Sequence, residues 1–85
     1  MRELARSAEQ FGNTIRRIRK KCDMSQAELA EKSGLRQATI SSIESGHPTV
    51  KLETVFAVLA ALGLDIEITE RKNDLQQNLF ESILK

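Results

Sequence analysis

Between Ser25 and Gly46 the chain carries two helical segments that are each too short to stand alone. The first opens at Ser25, where "SQAE" has the form of a capping box: a serine hydroxyl accepts from the backbone N–H three residues on, and Glu28 returns the bond. Gly34 is placed to take the left-handed conformation that stops a helix. "GLR" is then a three-residue turn, and a second helix runs from about Gln37 to Ser45 before Gly46 ends it. Helices of roughly eight or nine residues are marginal in water, where independent stability asks for about 12–15. These two hold only by packing, and so tight a turn brings them against each other. A close crossing needs a small residue inside the first helix, Ala30. The turn needs an apolar anchor, Leu35, and the second helix an inward stripe, Ile40 and Ile43.

The remaining surface of that second helix is Gln37, Ala38, Thr39, Ser41 and Ser42: small, uncharged and hydrogen-bonding. A helix that faces only water usually carries Lys, Glu and Arg. A slim polar face suits a DNA major groove about 12 Å wide. There Gln37 can bond adenine through two contacts, Ala38 can touch a thymine methyl, and Ser41 can donate or accept. Two short helices, a glycine turn and a further core helix are the layout of a helix-turn-helix. The start of the first short helix offers free backbone N–H groups to a phosphate. Gln26 stands there, able to bond a phosphate, to brace Gln37, or both. Arg36 and Lys51 flank the reading helix and are candidate backbone contacts, the kind that set register and carry salt-dependent affinity.

The rest of the chain supplies support. "SAEQ" at Ser7 has the capping-box form and opens a helix with Phe11, Ile15, Ile18 and Cys22 on one stripe, the arginines falling largely off it. "HPTVK" is a loop, because Pro48 disfavours helix at His47. A fourth helix spans about Leu52 to Leu62, with Leu52, Val55, Phe56, Leu59 and Leu62 inward and Val58 and Ala61 making it apolar on a second side. Then the period changes: in "LDIEIT", Leu64, Ile66 and Ile68 alternate with Asp65, Glu67 and Thr69, the pattern of a half-buried strand. "DLQQNLFESILK" reads as a last amphipathic helix, with Leu75, Leu79, Phe80, Ile83 and Leu84 on one side. A lone strand leaves its backbone groups unpaired. The simplest partner is the same strand of a second copy across a two-fold axis, which makes Leu64, Ile66 and Ile68 candidate dimerisation residues.

With 85 residues this is one small domain, and at that size a partner chain is the stabiliser most available. One cysteine and one histidine give neither an internal disulfide nor a metal-ligand set. No cofactor is expected, and no Ser/His/Asp set or glycine-rich phosphate loop supports an enzyme. The absence of an apolar run near 20 residues and of a signal peptide points to the cytoplasm. The net charge of +1 hides an asymmetry: residues 1–36 hold nine Lys/Arg and five Asp/Glu, a net of +4, and residues 37–85 hold four and seven, a net of −3. The basic half includes "RRIRKK", Arg16 to Lys21, either a solvated face or a surface steered toward a polyanion.

"MSQAELAEKSGLRQATISSIESG", Met24 to Gly46, resembles the Xre/Cro/C1 helix-turn-helix family, typified by the lambda-type phage repressors, over about residues 8–63. The resemblance implies an all-α, lambda-repressor-like bundle and sequence-specific DNA binding. It places the base contacts on Gln37, Ala38 and Ser41 and the phosphate-bridging glutamine on Gln26. "RQATIS" and "LDIEITER" are similar to the recognition helix and dimer strand of HipB-type antitoxins. That implies a homodimer on a palindromic operator, a HipA-like Ser/Thr kinase toxin as partner, and repression of its own operon. The expected organisation is a helix-turn-helix domain over 7–63, a dimerisation strand over 64–71 and a C-terminal helix over 73–85. Two other readings stay open: a stand-alone phage-type or restriction-controller repressor with no toxin, and a helix-turn-helix adaptor for protein contacts.

Overall fold

The computed structural model describes residues 1–71 and residue 83. Four helices stand among them: α1 over Ala8–Lys21, α2 over Gln26–Ser33, α3 over Gln37–Glu44 and α4 over Leu52–Ala61. Each begins where the local chemistry requires. The Ser7 hydroxyl accepts from the Gln10 N–H at 3.0 Å, and the Gln10 side chain turns back one residue further than a capping box, to the Arg6 N–H. At α2 the box is complete: Ser25 Oγ accepts from the Glu28 N–H and Glu28 Oε1 from the Ser25 N–H. Those bonds favour the ionised carboxylate and hold Glu28 below the usual range.

One core joins the four helices. Ile15 of α1, Leu29 and Ala30 of α2, Ile40 and Ile43 of α3, and Val58 and Leu59 of α4 are buried together. Ala30 sits at the α2–α3 crossing as its size demands, and Leu35 packs half-buried from the turn. Three expected core positions lie elsewhere. Cys22 caps the end of α1 and is exposed. Leu52 and Phe56 are 64% and 52% exposed, because α4 buries its Val58–Leu59 side instead.

The strand expected over 64–71 is not found: no residue there enters a β-ladder among the described residues. Leu64 still belongs to the end of α4, its N–H donating to the Leu59 carbonyl at 2.8 Å and its side chain packing half-buried on the core. Beyond it the backbone is irregular, with Ile66 and Ile68 exposed. Two-residue alternation says which side chains share a face, but a ladder also needs a neighbouring backbone to receive its hydrogen bonds. The fold of this chain is therefore all-helical as far as it is described. The helix expected over 73–85 lies outside the described residues, apart from the exposed Ile83.

Candidate nucleic-acid interface

The site is built on α2, its turn and α3. Gly34 takes a φ of 72°, a left-handed conformation, and closes α2 with its N–H on the Glu31 carbonyl. The Leu35 N–H returns to the Ala30 carbonyl at 2.9 Å. These bonds reverse the chain within three residues and set α3 across α2. Ile40 and Ile43 point α3 inward, fully out of solvent. Gln37, Ala38 and Ser41 consequently share the opposite, exposed side. Arg36 is exposed at the N-cap of α3 and makes no side-chain cap bond, and Lys51 is exposed at the N-cap of α4. Thus α3 starts without the closure that Ser25 and Glu28 give α2.

Gln26 occupies the first position of α2, as expected, but its amide is already engaged. Its Nε2 donates to Glu44 Oε1 at 3.1 Å. A carboxylate only accepts, so the amide nitrogen must face it. Its second N–H remains to donate to a phosphate, and its carbonyl oxygen to accept from Gln37. Glu44 itself was not singled out in the sequence, nor was Arg19, yet the two anchor the site. Arg19 Nε donates to Glu44 Oε2 at 2.6 Å and Nη2 to Oε1 at 2.9 Å, a two-pronged pair at 9% and 3% side-chain exposure. Arg19 Nη1 also donates to the Met24 carbonyl at 2.7 Å, just ahead of α2. One carboxylate therefore ties α1, the entry to α2, and the last turn of α3.

Charge in the network follows from this geometry. Burial raises the Glu44 pKa, but the hydrogen bonds from Arg19 and Gln26, with the charges of Arg19 and Arg16, outweigh it and hold the carboxyl below its ordinary 4.5. The bond to Glu44 likewise raises Arg19, against the opposing effect of burial. No buried side-chain nitrogen or oxygen among the described residues lacks a partner.

A third residue missed in the sequence is Gly12. It lies buried on α1 where the helix crosses α3. A Cβ there would stand 2.2 Å from the Ile43 carbonyl oxygen and 3.0 Å from that of Glu44. The missing side chain is what lets α1 approach α3 backbone closely enough for Arg19 to reach Glu44. The available signal was a glycine inside a helix that gains nothing from one: such a residue usually has a packing reason.

A helix-turn-helix with its second helix locked inward and its outer face uncharged is the DNA-reading class of domain. The sequence pattern of that family matches residues 15–68, and the chain belongs to the Xre-type helix-turn-helix family. Within it, the antitoxin HipB of Escherichia coli strain K12 is 36% identical over 67 residues, spanning 79% of this chain and 76% of HipB. A HipB–O4 20mer complex contains a chain that superposes with a TM-score of 0.78 at 32% identity, covering 84% of this chain and 100% of that one. The HipB chain of a HipA–HipB–O2–O3 complex gives 0.77 at 33% identity, covering 84% and 100%. The protein is thus a HipB-like transcriptional regulator by fold and sequence. No helix among the described residues is long and apolar enough to cross a membrane, and no cluster there suits a metal ion.

Proposed function

We propose that this chain is a sequence-specific repressor that binds a palindromic operator as a homodimer and neutralises a HipA-like Ser/Thr kinase toxin, so regulating its own operon. The observation that carries the DNA half is the exposed, uncharged group Gln37, Ala38 and Ser41 on a helix held from behind by Ile40, Ile43 and Glu44. Arg36 and Lys51 at two helix starts, with Gln26, supply the phosphate contacts. The toxin half rests on the HipB relatives, one of which is seen in complex with HipA and DNA. In this reading residues 7–63 read DNA, and Ile66 and Ile68, exposed on one chain, are covered with Leu64 by a second copy over 64–71. Residues 73–85 are assigned a role in the contact with the second copy or with the toxin.

The DNA half is tested on a duplex that the protein selects from a random pool. Gln37→Ala is expected to lose about 1–3 kcal/mol of discrimination against a single-base variant of that duplex. Equal discrimination before and after the change would remove α3 as the reading helix. The protein half is read from one preparation, the chain co-expressed with the kinase encoded beside it and weighed by light scattering. A complex holding two copies of this chain with kinase is the expected result. A single copy would sink the dimer, and a kinase that elutes alone, or the absence of any such neighbour, would sink the antitoxin role.

A further inference from the structure

The basic run Arg16–Lys21 is not one surface, and the structure separates it. Arg19 turns inward to Glu44. Arg17 pairs with Glu3 of the N-terminal segment. Arg16 and Lys20, one turn apart, are exposed and have no carboxylate partner within ion-pair distance among the described residues. Helical periodicity of 3.6 residues per turn puts them on the strip of α1 just beside the Gly12–Arg19 line that meets α3. Ile15 and Ile18 occupy the strip on the other side of that line, in the core. Around α3 the order is the same. Ile40 and Ile43 face the core, Glu44 faces α1, and Gln37 and Ser41 come next on the outer side. The two outward strips therefore lie on the same side of the α1–α3 contact. The bond from Arg19 to the Met24 carbonyl sets the end of α1 against the entry to α2, next to Gln26.

We infer that Arg16 and Lys20 form a second phosphate-binding row that grips the duplex flanking the bases read by α3, on the Gln26 side of the recognition helix. Together with Arg36 and Lys51 on the other edges of the helix-turn-helix, the row lengthens the track of cations along the DNA backbone. Duplex DNA is favoured over other polyanions because the row borders the uncharged reading face. Its two cations are spaced one helical turn apart at about 5–6 Å. The N-terminal continuation of the strip is Glu9, so the basic character ends two turns back. Arg16 also acts on the network behind the row, since its charge helps hold Glu44 ionised. The inference rests on the DNA-binding reading above.

The test uses the full chain and its selected duplex, with binding followed by fluorescence anisotropy across a salt series. Each neutralised phosphate contributes a slope of about 0.9 in log K against log salt. Arg16→Gln with Lys20→Gln is expected to make the slope shallower by about 2 per protomer. Its preference for the selected duplex over a scrambled one should stay unchanged, and so should its helix content by circular dichroism. Arg17→Gln with Lys21→Gln, the same charge change on the next strip of α1 about 100° further round and away from α3, should alter the slope by far less. Equal slope changes for the two pairs would mean general charge and overturn the row. An unchanged slope would also overturn it, whether or not the first pair loses affinity for double-stranded RNA. If the unaltered protein shows no preference among duplexes, the DNA-reading function falls, and the row with it.

Discussion

Gly12→Ala is expected to destabilise the domain by up to about 2 kcal/mol, although the substitution is one that ordinarily strengthens a helix. Alanine in place of glycine inside a helix gains about 1 kcal/mol from backbone entropy. Here the added methyl would meet the Ile43 carbonyl oxygen at 2.2 Å. That atom is backbone, held in α3, and cannot swing aside like the end of a side chain. Overpacking of this kind costs about 1–3 kcal/mol and more when the neighbour is rigid, so the steric effect wins. A urea melt of the two proteins decides it. A higher midpoint for Gly12→Ala would show that α1 can step back from α3 at little cost, and the close approach would then have no structural importance. The domain is small, and 2 kcal/mol is a large share of the 5–15 kcal/mol that ordinarily separates folded from unfolded.

Arg19→Met is expected to cost more, about 3–5 kcal/mol, because it leaves the Glu44 carboxylate buried without its main partner. Replacing both, Arg19→Met with Glu44→Leu, is expected to recover most of that loss, since a buried pair exchanged for apolar groups of similar size is often neutral. Chemical denaturation of the two single variants and the double gives the coupling directly. If Arg19→Met alone cost under about 1 kcal/mol, the pair would be no more than a surface contact. The same pair sets an acid limit. The folded Glu44 pKa lies below its ordinary 4.5. Its contribution is therefore present above that value and disappears as pH falls through the lower, folded pKa. Glu44→Gln should flatten this part of the stability profile. A variant whose acid dependence matched the unaltered chain would assign the acid loss to other carboxylates.

Both residues show where a sequence stops being readable. The turn and the α2 cap rest on local chemistry, and Ser25, Glu28 and Gly34 stand where their residue types require. Arg19 depends on what lies across from it. It sits beside Ile15 and Ile18 in a run of cations, and nothing within α1 tells an inward arginine from an outward one. Gly12 depends on a neighbour 31 positions away, Ile43. Helix α4 failed for another reason: it is apolar on more than one side, so periodicity could not choose between Phe56 and Val58, and packing chose Val58. Residues 64–71 have the alternation of a strand, but alternation carries no information on a pairing partner. Gln37, Ala38 and Ser41 are exposed, and whatever they meet lies outside the chain.

The unequal starts of the two helices have a dynamic consequence. Helix α2 begins with both its capping bonds made, whereas α3 begins at Arg36 with none from a side chain. The end of α3 that carries Gln37 and Ala38 is therefore held by backbone bonds alone, while its far end is pinned by Glu44. Such a helix can adjust its leading side chains to the contour it meets without disturbing the core. The adjustment costs entropy: freezing that turn in a groove subtracts from affinity. Poorly fitting sites then give less for the same ordering, and slack at the tip of a rigid helix becomes a source of selectivity.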